Sequence, residues 1–151
     1  NPAPGRGFAY PAGMTLPEHV ARARLASAPV VRLATVDEDG QPHLVVMTFC
    51  VSGDMIYSAV DAKPKRSRNL KRVRNIRAEP RVAVLADHYE TDWTRLWWVR
   101  ADGWAEIIDN PEAMAGPIRL LRERYEPYRH HPPEGPVIAI RVDRWTGWSA
   151  R

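Results

Sequence analysis

Two tight-turn sequences separate three stretches of apolar and β-branched residues in the first half of the chain. The stretches are Val30–Val36, Gln41–Ser52 and Met55–Val60. Asp-Glu-Asp-Gly at 37–40 and Gly-Asp at 53–54 lie between them. Because strands joined by such short turns pair in antiparallel fashion, the three stretches predict two successive hairpins that form an antiparallel meander.

Three further strands and three helices are predicted around this meander. Six short strands with flanking helices favour a small, mainly β barrel in a single domain, expected over residues 14–151. Residues 1–13 are rich in Pro and Gly, and we expect a disordered arm or an extension upstream of a natural start at Met14. The further strands are Arg81–Asp87, Arg95–Asp109 with a bulge at Gly103, and Val137–Val142, and the helices are Leu16–Ala28, Pro64–Ala78 and Pro111–Glu126.

Positive charge is concentrated in one basic stretch, Lys63–Arg81. The stretch holds nine Lys and Arg residues against one acid, Glu79, whereas the whole chain has 22 basic and 18 acidic residues. The remaining 13 basic and 17 acidic residues give the rest of the chain a net charge of −4. Such a local excess indicates a binding site for a particular anion more than general attraction to polyanions.

The cations Lys65, Arg66 and Arg68 fall near the N-terminal end of the predicted helix Pro64–Ala78. Each cation at that end of a helix costs about 0.3–1 kcal/mol, because the helix dipole is already positive there. A bound anion would remove this cost, since backbone N–H groups and guanidinium groups then converge on it. Two alternatives stay open: a solvated charged face, or a nucleic-acid backbone. The acidic remainder of the chain and the lack of a nucleic-acid module disfavour the second.

The sequence lacks the motifs of several familiar enzyme and cofactor-binding classes. It contains no Gly-rich dinucleotide motif, P-loop or Gly-x-Ser-x-Gly motif, and its five histidines lack the spacing of a zinc site. The single cysteine, Cys50, lies in an apolar run and is interpreted as an inert core residue of a protein from a reducing compartment. No apolar run approaches the roughly 20 residues that span a bilayer. We therefore expect a cytoplasmic protein without a metal or membrane partner. The residues give little support to catalysis by protein side chains and leave catalysis by a bound cofactor open.

Six tryptophans form the second notable group of residues. Strand alternation sends the adjacent Trp97 and Trp98 to opposite faces, so one can fill the barrel while the other faces a partner or a ring-shaped ligand. Most of the six are expected to serve core or interface packing.

The order of these segments resembles that of the pyridoxamine-phosphate-oxidase-like split β-barrel proteins. The resemblance covers residues 16–149. It is carried by Val-Arg-Leu-Ala-Thr-Val at 31–36 with its Asp-Gly turn, Gln-Pro-His-Leu-Val-Val at 41–46, Ile56–Val60, Lys-Pro-Lys-Arg-Ser-Arg-Asn-Leu at 63–70, Asn-Ile-Arg-Ala-Glu-Pro-Arg-Val at 75–82, and Ile140–Trp148. The implied fold is a six-stranded antiparallel split barrel that forms a homodimer.

Within that superfamily, Lys-Pro-Lys-Arg at 63–66 and the Trp-Trp pair look most like the actinobacterial branch that uses the deazaflavin coenzyme F420. The resemblance implies a cofactor lying across the dimer interface. It names no catalytic residue. Arg72 and Arg74 are alternative candidates for the phosphate-binding role given to Lys65 and Arg66. The alternative arises because the sequence contains two similar Arg-Asn pieces, at 68–69 and at 74–75. The implied cofactor-binding residues are Pro42, His43, Val45, Val46, Met47 and Thr48 beside the ring, Ser58, Lys63, Lys65, Arg66, Arg68 and Asn69 at the phosphate and tail, and Trp97, Trp98 and Trp148 closing the cleft.

The activity implied by this resemblance is hydride transfer between the deazaflavin and a small conjugated or unsaturated substrate. One alternative is an FMN-dependent enzyme of the pyridoxamine-phosphate-oxidase type, and another is a non-catalytic carrier that binds flavin or F420. The size of the basic stretch favours F420 over FMN, because F420 ends in a lactyl phosphate and a polyglutamate tail and FMN in one phosphate. Neither nucleic acid nor a membrane is expected as a partner.

Overall fold

A computed structural model of the chain describes residues 13–60 and 70–150. All strands among these residues belong to one antiparallel sheet, and four helices flank it. The strands are β1 (Met14–Thr15), β2 (Val31–Val36), β3 (Pro42–Met47), β4 (Cys50–Ser52), β5 (Met55–Ala59), β6 (Arg81–His88), β7 (Trp97–Ile108) and β8 (Val137–Ser149), and the helices are α1 (Glu18–Ala26), α2 (Lys71–Ala78), α3 (Pro111–Arg124) and α4 (Glu126–His130), with a 3-10 turn at Trp93–Arg95.

The sheet is curled, and the strands at its two edges follow one another in the sequence. Its strand order is β3-β2-β6-β7-β8-β5-β4, and β1 pairs with β8 in addition. The outermost strands β3 and β4 are separated by two residues only, Thr48 and Phe49. The chain therefore leaves one edge of the sheet and joins the other within a single bend, which gives a half-open barrel.

Alternating burial shows which side of the sheet faces the core. In β2, Val31, Leu33 and Thr35 are buried, whereas Arg32 is exposed. The inward side chains of β6, β7 and β8 join them in one apolar cluster, which α1 covers with Ala21 and Leu25. A second, smaller cluster forms under α3 around Leu121, whose side chain is fully buried. Burying a leucine side chain of this kind contributes about 1.5–3 kcal/mol to folding.

The bulge predicted at Gly103 is confirmed. The register of the β7–β8 pair shifts between Asp102 and Gly103, so that Asp143 on β8 has no direct partner. A Cβ atom at position 103 would overlap the backbone carbonyl of Arg141. Glycine is therefore needed here, because the two backbones approach more closely than a side chain allows.

The mainly β fold with a curled antiparallel sheet and flanking helices is confirmed, but four details of the prediction are wrong. The described residues contain eight strands and not six. The predicted strand Gln41–Ser52 is broken into β3 and β4 by the bend, and the last strand continues past Val142 to Ser149. The residue before α2, Leu70, has an extended backbone, so this helix does not start at Pro64.

The prediction of a disordered arm over residues 1–13 lies almost entirely outside the described residues, which begin at Gly13. No helix within residues 13–60 and 70–150 is long and apolar enough to span a bilayer.

Candidate functional site

A groove of about 860 Å³ lies on the outer face of the sheet. It runs across β3, β2, β6, β7 and β8, and the chain after β6 forms one side of it through Tyr89 and Leu96. Leu44 and Leu85, which line the groove, are 69% and 39% exposed. A volume of this size is typical of sites that bind small molecules or cofactors.

Two tryptophans form one wall of the groove. Trp98 on β7 and Trp148 on β8 are direct cross-strand partners, and both line the groove. The indole of Trp148 also lies against the backbone of Gly13, where a Cβ atom would overlap it. Trp97 contacts the edge of the groove but packs mainly against the barrel core, with the guanidinium of Arg24 5.4 Å from its ring centre. The predicted division of Trp97 and Trp98 between the two faces is therefore found.

Charged residues lie on the floor and rim of this groove. Arg32 pairs with Asp87 at 3.3 Å, and Arg100 pairs with Asp102 at 3.2 Å. Each of these side chains is about half-exposed. Ion pairs in such positions contribute at most about 1 kcal/mol, so a bound ligand can replace them at little cost.

The predicted ring-binding run on β3 is divided between the two faces of the sheet. Pro42 and Val46 point to the outer face, as does Leu44, whereas Val45 and Met47 point towards the core. His43 also points inward. Its Nδ1 atom is buried and finds no hydrogen-bond partner in the part of the chain that the structure describes. Sequence reasoning missed Leu44, although strand alternation with Pro42 and Val46 was the signal that could have found it.

The bend between β3 and β4 is held by side chains from α3 and α4. The hydroxyl of Tyr125 accepts a hydrogen bond from the Phe49 N–H at 3.1 Å and lies 2.9 Å from the carbonyl oxygen of Pro29, to which it can donate. Arg124 donates to the carbonyl oxygens of Phe49, at 2.9 Å, and Ala28.

One residue earlier, the Thr48 Oγ1 atom lies 2.7 Å from the Tyr128 hydroxyl oxygen. Of the predicted ring residues, Thr48 is thus the one whose side chain has a firm polar partner. We refer to Arg124, Tyr125 and Tyr128 as the bend clamp.

Cations cluster at the N-terminal end of α2, whose first turn contains no acidic residue. Lys71 lies 3.5 Å from Asp37, which the backbone N–H of Gln41 also binds. That backbone hydrogen bond is the largest of the causes that lower the pKa of Asp37. Arg72 is half-buried, and burial lowers the pKa of its guanidinium. The unfavourable cation placement predicted for Lys65, Arg66 and Arg68 therefore occurs at Lys71 and Arg72.

The remaining predicted tail residues are placed as follows. Ser58 is buried on β5, next to β8 in the sheet and three strands from β6. Lys63, Lys65, Arg66, Arg68 and Asn69 lie outside the described residues.

Cys50 is buried in the smaller apolar cluster, as predicted. Burial raises the pKa of its thiol to about 11, which keeps the thiol protonated and unreactive near neutral pH. Within the described residues, no group of three or more His, Cys, Asp or Glu side chains is arranged to hold a metal ion.

Comparison with known proteins shows the family to which this chain belongs. The sequence matches the family model described as pyridoxamine 5'-phosphate oxidase over residues 17–149. The chain belongs to the pyridoxamine 5'-phosphate oxidase family. The match covers nearly all of the described residues, so the groove, the bend and α2 are parts of the family domain. No curated protein matches the chain.

Solved structures share this family fold. The conserved hypothetical protein Rv2991 from Mycobacterium tuberculosis is 27% identical with a TM-score of 0.70, and the alignment covers 90% of this chain and 86% of that one. A FAD-binding protein (mll6688) from Mesorhizobium loti is 22% identical with a TM-score of 0.65, over 90% and 96% of the two chains. The FAD binding protein from Mycobacterium smegmatis is 16% identical with a TM-score of 0.61, over 89% and 97%.

Proposed function

We propose that this member of the pyridoxamine 5'-phosphate oxidase family is an F420-dependent oxidoreductase that transfers hydride between the deazaflavin and a small conjugated substrate. The observation that carries the proposal is the groove with its Trp98–Trp148 wall. Its volume of about 860 Å³ and its aromatic side suit a planar fused-ring cofactor with a substrate beside it. When bound, a reduced deazaflavin supplies the hydride, and the chain positions the two reactants.

The charge of the basic stretch supports a cofactor with several negative groups. Lys71 and Arg72 follow shortly after four basic residues at 63–68, and together these six cations exceed the number that the single phosphate of FMN needs. Half-burial of Arg72 disfavours a cation that lacks an anionic partner. A phosphate followed by several carboxylates would provide such partners.

The outer face of the sheet supports a homodimer with the cofactor between its subunits. Leu44 and Val46 are more than half-exposed there, and Leu85 and Trp104 are partly exposed. Large apolar side chains grouped on one face of a sheet favour a second copy that covers them. In the proposed dimer, the second copy closes the groove over the ring.

Fluorescence titration tests the cofactor. Trp98 and Trp148 line the groove, so bound coenzyme F420 should quench the tryptophan emission, and FMN should do so more weakly. Lys65→Ala plus Arg66→Ala should weaken binding of F420 at least 10-fold and leave binding of the tail-free deazaflavin unchanged. Arg119→Ala plus Arg141→Ala is the matched control, because both cations are exposed and outside the basic stretch. Tight FMN binding without an F420 response would overturn the choice of cofactor.

Two further measurements separate the remaining alternatives. Reduced F420 mixed with the protein and a panel of quinones and enones should be reoxidised in a substrate-dependent way, whereas a carrier would bind F420 without reoxidation. Light scattering should give a dimer for the wild-type protein and a monomer for Leu44→Asp plus Leu85→Asp. A wild-type monomer that still binds F420 would refute the interface cofactor site.

A further inference from the structure

Arg100 brings a positive charge next to the tryptophan wall of the groove. It follows Trp98 on β7 by two residues, so both side chains point to the outer face, about 7 Å apart along the strand. Both residues line the groove. On β8, Thr146 is the direct partner of Arg100, and Trp148 is the direct partner of Trp98. Arg100 and Thr146 therefore form the row of the sheet that adjoins the wall.

The guanidinium of Arg100 is oriented by an ion pair that does not use its terminal nitrogens. Among the described residues, this ion pair joins the Nε atom to Asp102 at 3.2 Å. Asp102 follows Arg100 by two residues and Trp98 precedes it by two, so the aspartate lies on the side away from the wall. The terminal nitrogens carry the remaining N–H groups in one plane, a fork that fits both oxygens of a carboxylate.

The hydroxyl of Thr146 is an unsatisfied polar group beside this arginine. Its Oγ1 atom is buried and has no hydrogen-bond partner within residues 13–60 and 70–150. Directly opposed residues of an antiparallel pair have Cβ atoms about 5 Å apart, so Thr146 and the stem of Arg100 are neighbours. A buried hydroxyl without a partner carries a desolvation cost, which an acceptor oxygen at this place would remove.

The charges that line the groove favour an anion at this place over a cation. Arg32 and Asp87 both line the groove and pair with each other at 3.3 Å. Arg100 also lines it, whereas its partner Asp102 does not. The groove therefore presents a net positive charge beside the tryptophan wall. Because Arg100 lies outside the basic stretch, to which the cofactor tail is assigned, this charge is available to the substrate.

We propose that Arg100 and Thr146 bind a carboxylate of the substrate and so select conjugated acids as the substrates of this protein. The inference rests on the proposed hydride transfer and names its substrate class. The carboxylate oxygens accept from the terminal nitrogens of Arg100, and one of them also accepts from the Thr146 hydroxyl. The conjugated part lies along Trp98 and Trp148. The carboxylate keeps its charge, because the hydride from the deazaflavin and a proton from water add to the two carbons of the double bond.

Binding of a product-like acid tests the carboxylate site without turnover. Benzoylpropionate has an aromatic ketone and a carboxylate, and its methyl ester has nearly the same shape without the charge. Calorimetry in the presence of F420 should show that the acid binds at least about 10-fold more tightly than the ester, because hydrogen bonds to a charged group are the stronger ones. Added salt should weaken binding of the acid and not of the ester.

Variants of Arg100 separate the planar fork from the charge. Arg100→Gln should weaken binding of the acid about 10-fold and leave that of the ester unchanged. Arg100→Lys should restore part of the loss, because lysine keeps the charge without the fork. Arg32→Gln is the matched comparison: Arg32 lines the same groove and its side chain is 46% exposed, against 43% for Arg100. It should change the acid affinity less than about threefold. Arg119→Gln, exposed on α3, should have no effect.

Thr146→Val separates a binding role of the hydroxyl from a structural one. Valine keeps the shape of threonine and removes the hydroxyl, so binding of the acid should weaken about threefold. The urea midpoint should stay the same or rise, because the variant no longer buries an unsatisfied hydroxyl. A lower midpoint with unchanged binding of the acid would assign Thr146 a structural role only and overturn its part in the site.

Turnover with reduced F420 tests the selection itself. Benzoylacrylate, the unsaturated form of the same acid, should be reduced with a lower KM than its methyl ester. Arg100→Gln should raise the KM for the acid about 10-fold and leave kcat and F420 affinity unchanged, because the carboxylate is bound equally in the ground state and the transition state.

Three results would overturn the inference. The first is equal binding of acid and ester by the wild type. The second is wild-type affinity for the acid in Arg100→Gln, or an equal loss in Arg32→Gln. The third is a loss of F420 affinity in Arg100→Gln, which would assign the arginine to the cofactor. If Arg100→Gln does not fold, Arg100→Lys and the acid–ester comparison decide.

Failure of the proposed function gives a different result. Absence of F420 binding or of benzoylacrylate reduction, with binding of benzoylpropionate that still depends on Arg100, would refute the hydride transfer and not the carboxylate site.

Discussion

The bend clamp makes a quantitative prediction for the substitution Tyr125→Phe. The Tyr125 hydroxyl accepts one hydrogen bond from the Phe49 N–H. Its single proton can be donated to Pro29 O, at 2.9 Å, or to Phe49 O, at 3.1 Å, so it makes one donated bond at a time. Phenylalanine keeps the ring contact with Tyr128 but loses the accepted bond and the donated bond.

Two hydrogen bonds at a net value of about 1 kcal/mol each give an expected loss of about 2 kcal/mol in the free energy of unfolding. The loss should exceed the sum of the bonds if the partly buried Phe49 N–H finds no water, because an unsatisfied donor adds its own desolvation cost. For a domain of this size, 2 kcal/mol corresponds to a decrease in Tm of roughly 4–8 °C.

Urea unfolding followed by tryptophan fluorescence, with calorimetry for Tm, measures this loss. Tyr89→Phe is the matched control, since Tyr89 is 69% exposed, and its change should remain within about 0.5 kcal/mol. A Tyr125→Phe protein that unfolds within 0.5 kcal/mol of the wild type would refute the view that α3 and α4 hold the barrel at the bend.

Three further predictions concern other parts of the fold. Gly103→Ala should destabilise the protein by about 2 kcal/mol or more in urea unfolding, because the new methyl group overlaps the Arg141 carbonyl. Cys50 should react with a thiol reagent much more slowly in the native protein than in the unfolded one at pH 8, since its pKa is about 11. Asp37→Asn should lower the free energy of unfolding at pH 7, because hydrogen bonds in the folded protein keep the pKa of Asp37 below its ordinary value of 3.8. The difference from the wild type should disappear as the pH falls through this lowered pKa. A constant difference from pH 7 to pH 2 would contradict the prediction.

Local chemistry explains which parts of the fold could be predicted from the sequence. Gly40 and Gly53 adopt φ values of +83° and +59°, the turn conformations that glycine permits, and both hairpin turns are found where predicted. The bulge at Gly103 was likewise signalled by one glycine inside a long strand. The start of α2 was not predictable, because the residue at its N-cap, Leu70, is apolar and makes no side-chain cap hydrogen bond.

The parts of the candidate site that were missed depend on contacts between distant segments. Arg32 and Leu85 meet in the groove because β2 pairs with β6, more than 40 residues later. Tyr128 reaches Thr48 across 80 residues. No periodicity or motif announces such a contact, so the sequence could name Thr48 as a ring neighbour but could not supply its partner.

The position of β8 has a consequence for fragments of this chain. β8 pairs with β7 on one side and with β5 on the other, although β5 precedes it by about 80 residues and β7 by about 30. A product that ends before Val137 would expose the inner edges of two strands together with the apolar floor beneath them. Such edges are templates for pairing with other chains. Chains that are terminated early or shortened by proteolysis should therefore aggregate or be degraded. They should not persist as partly folded domains.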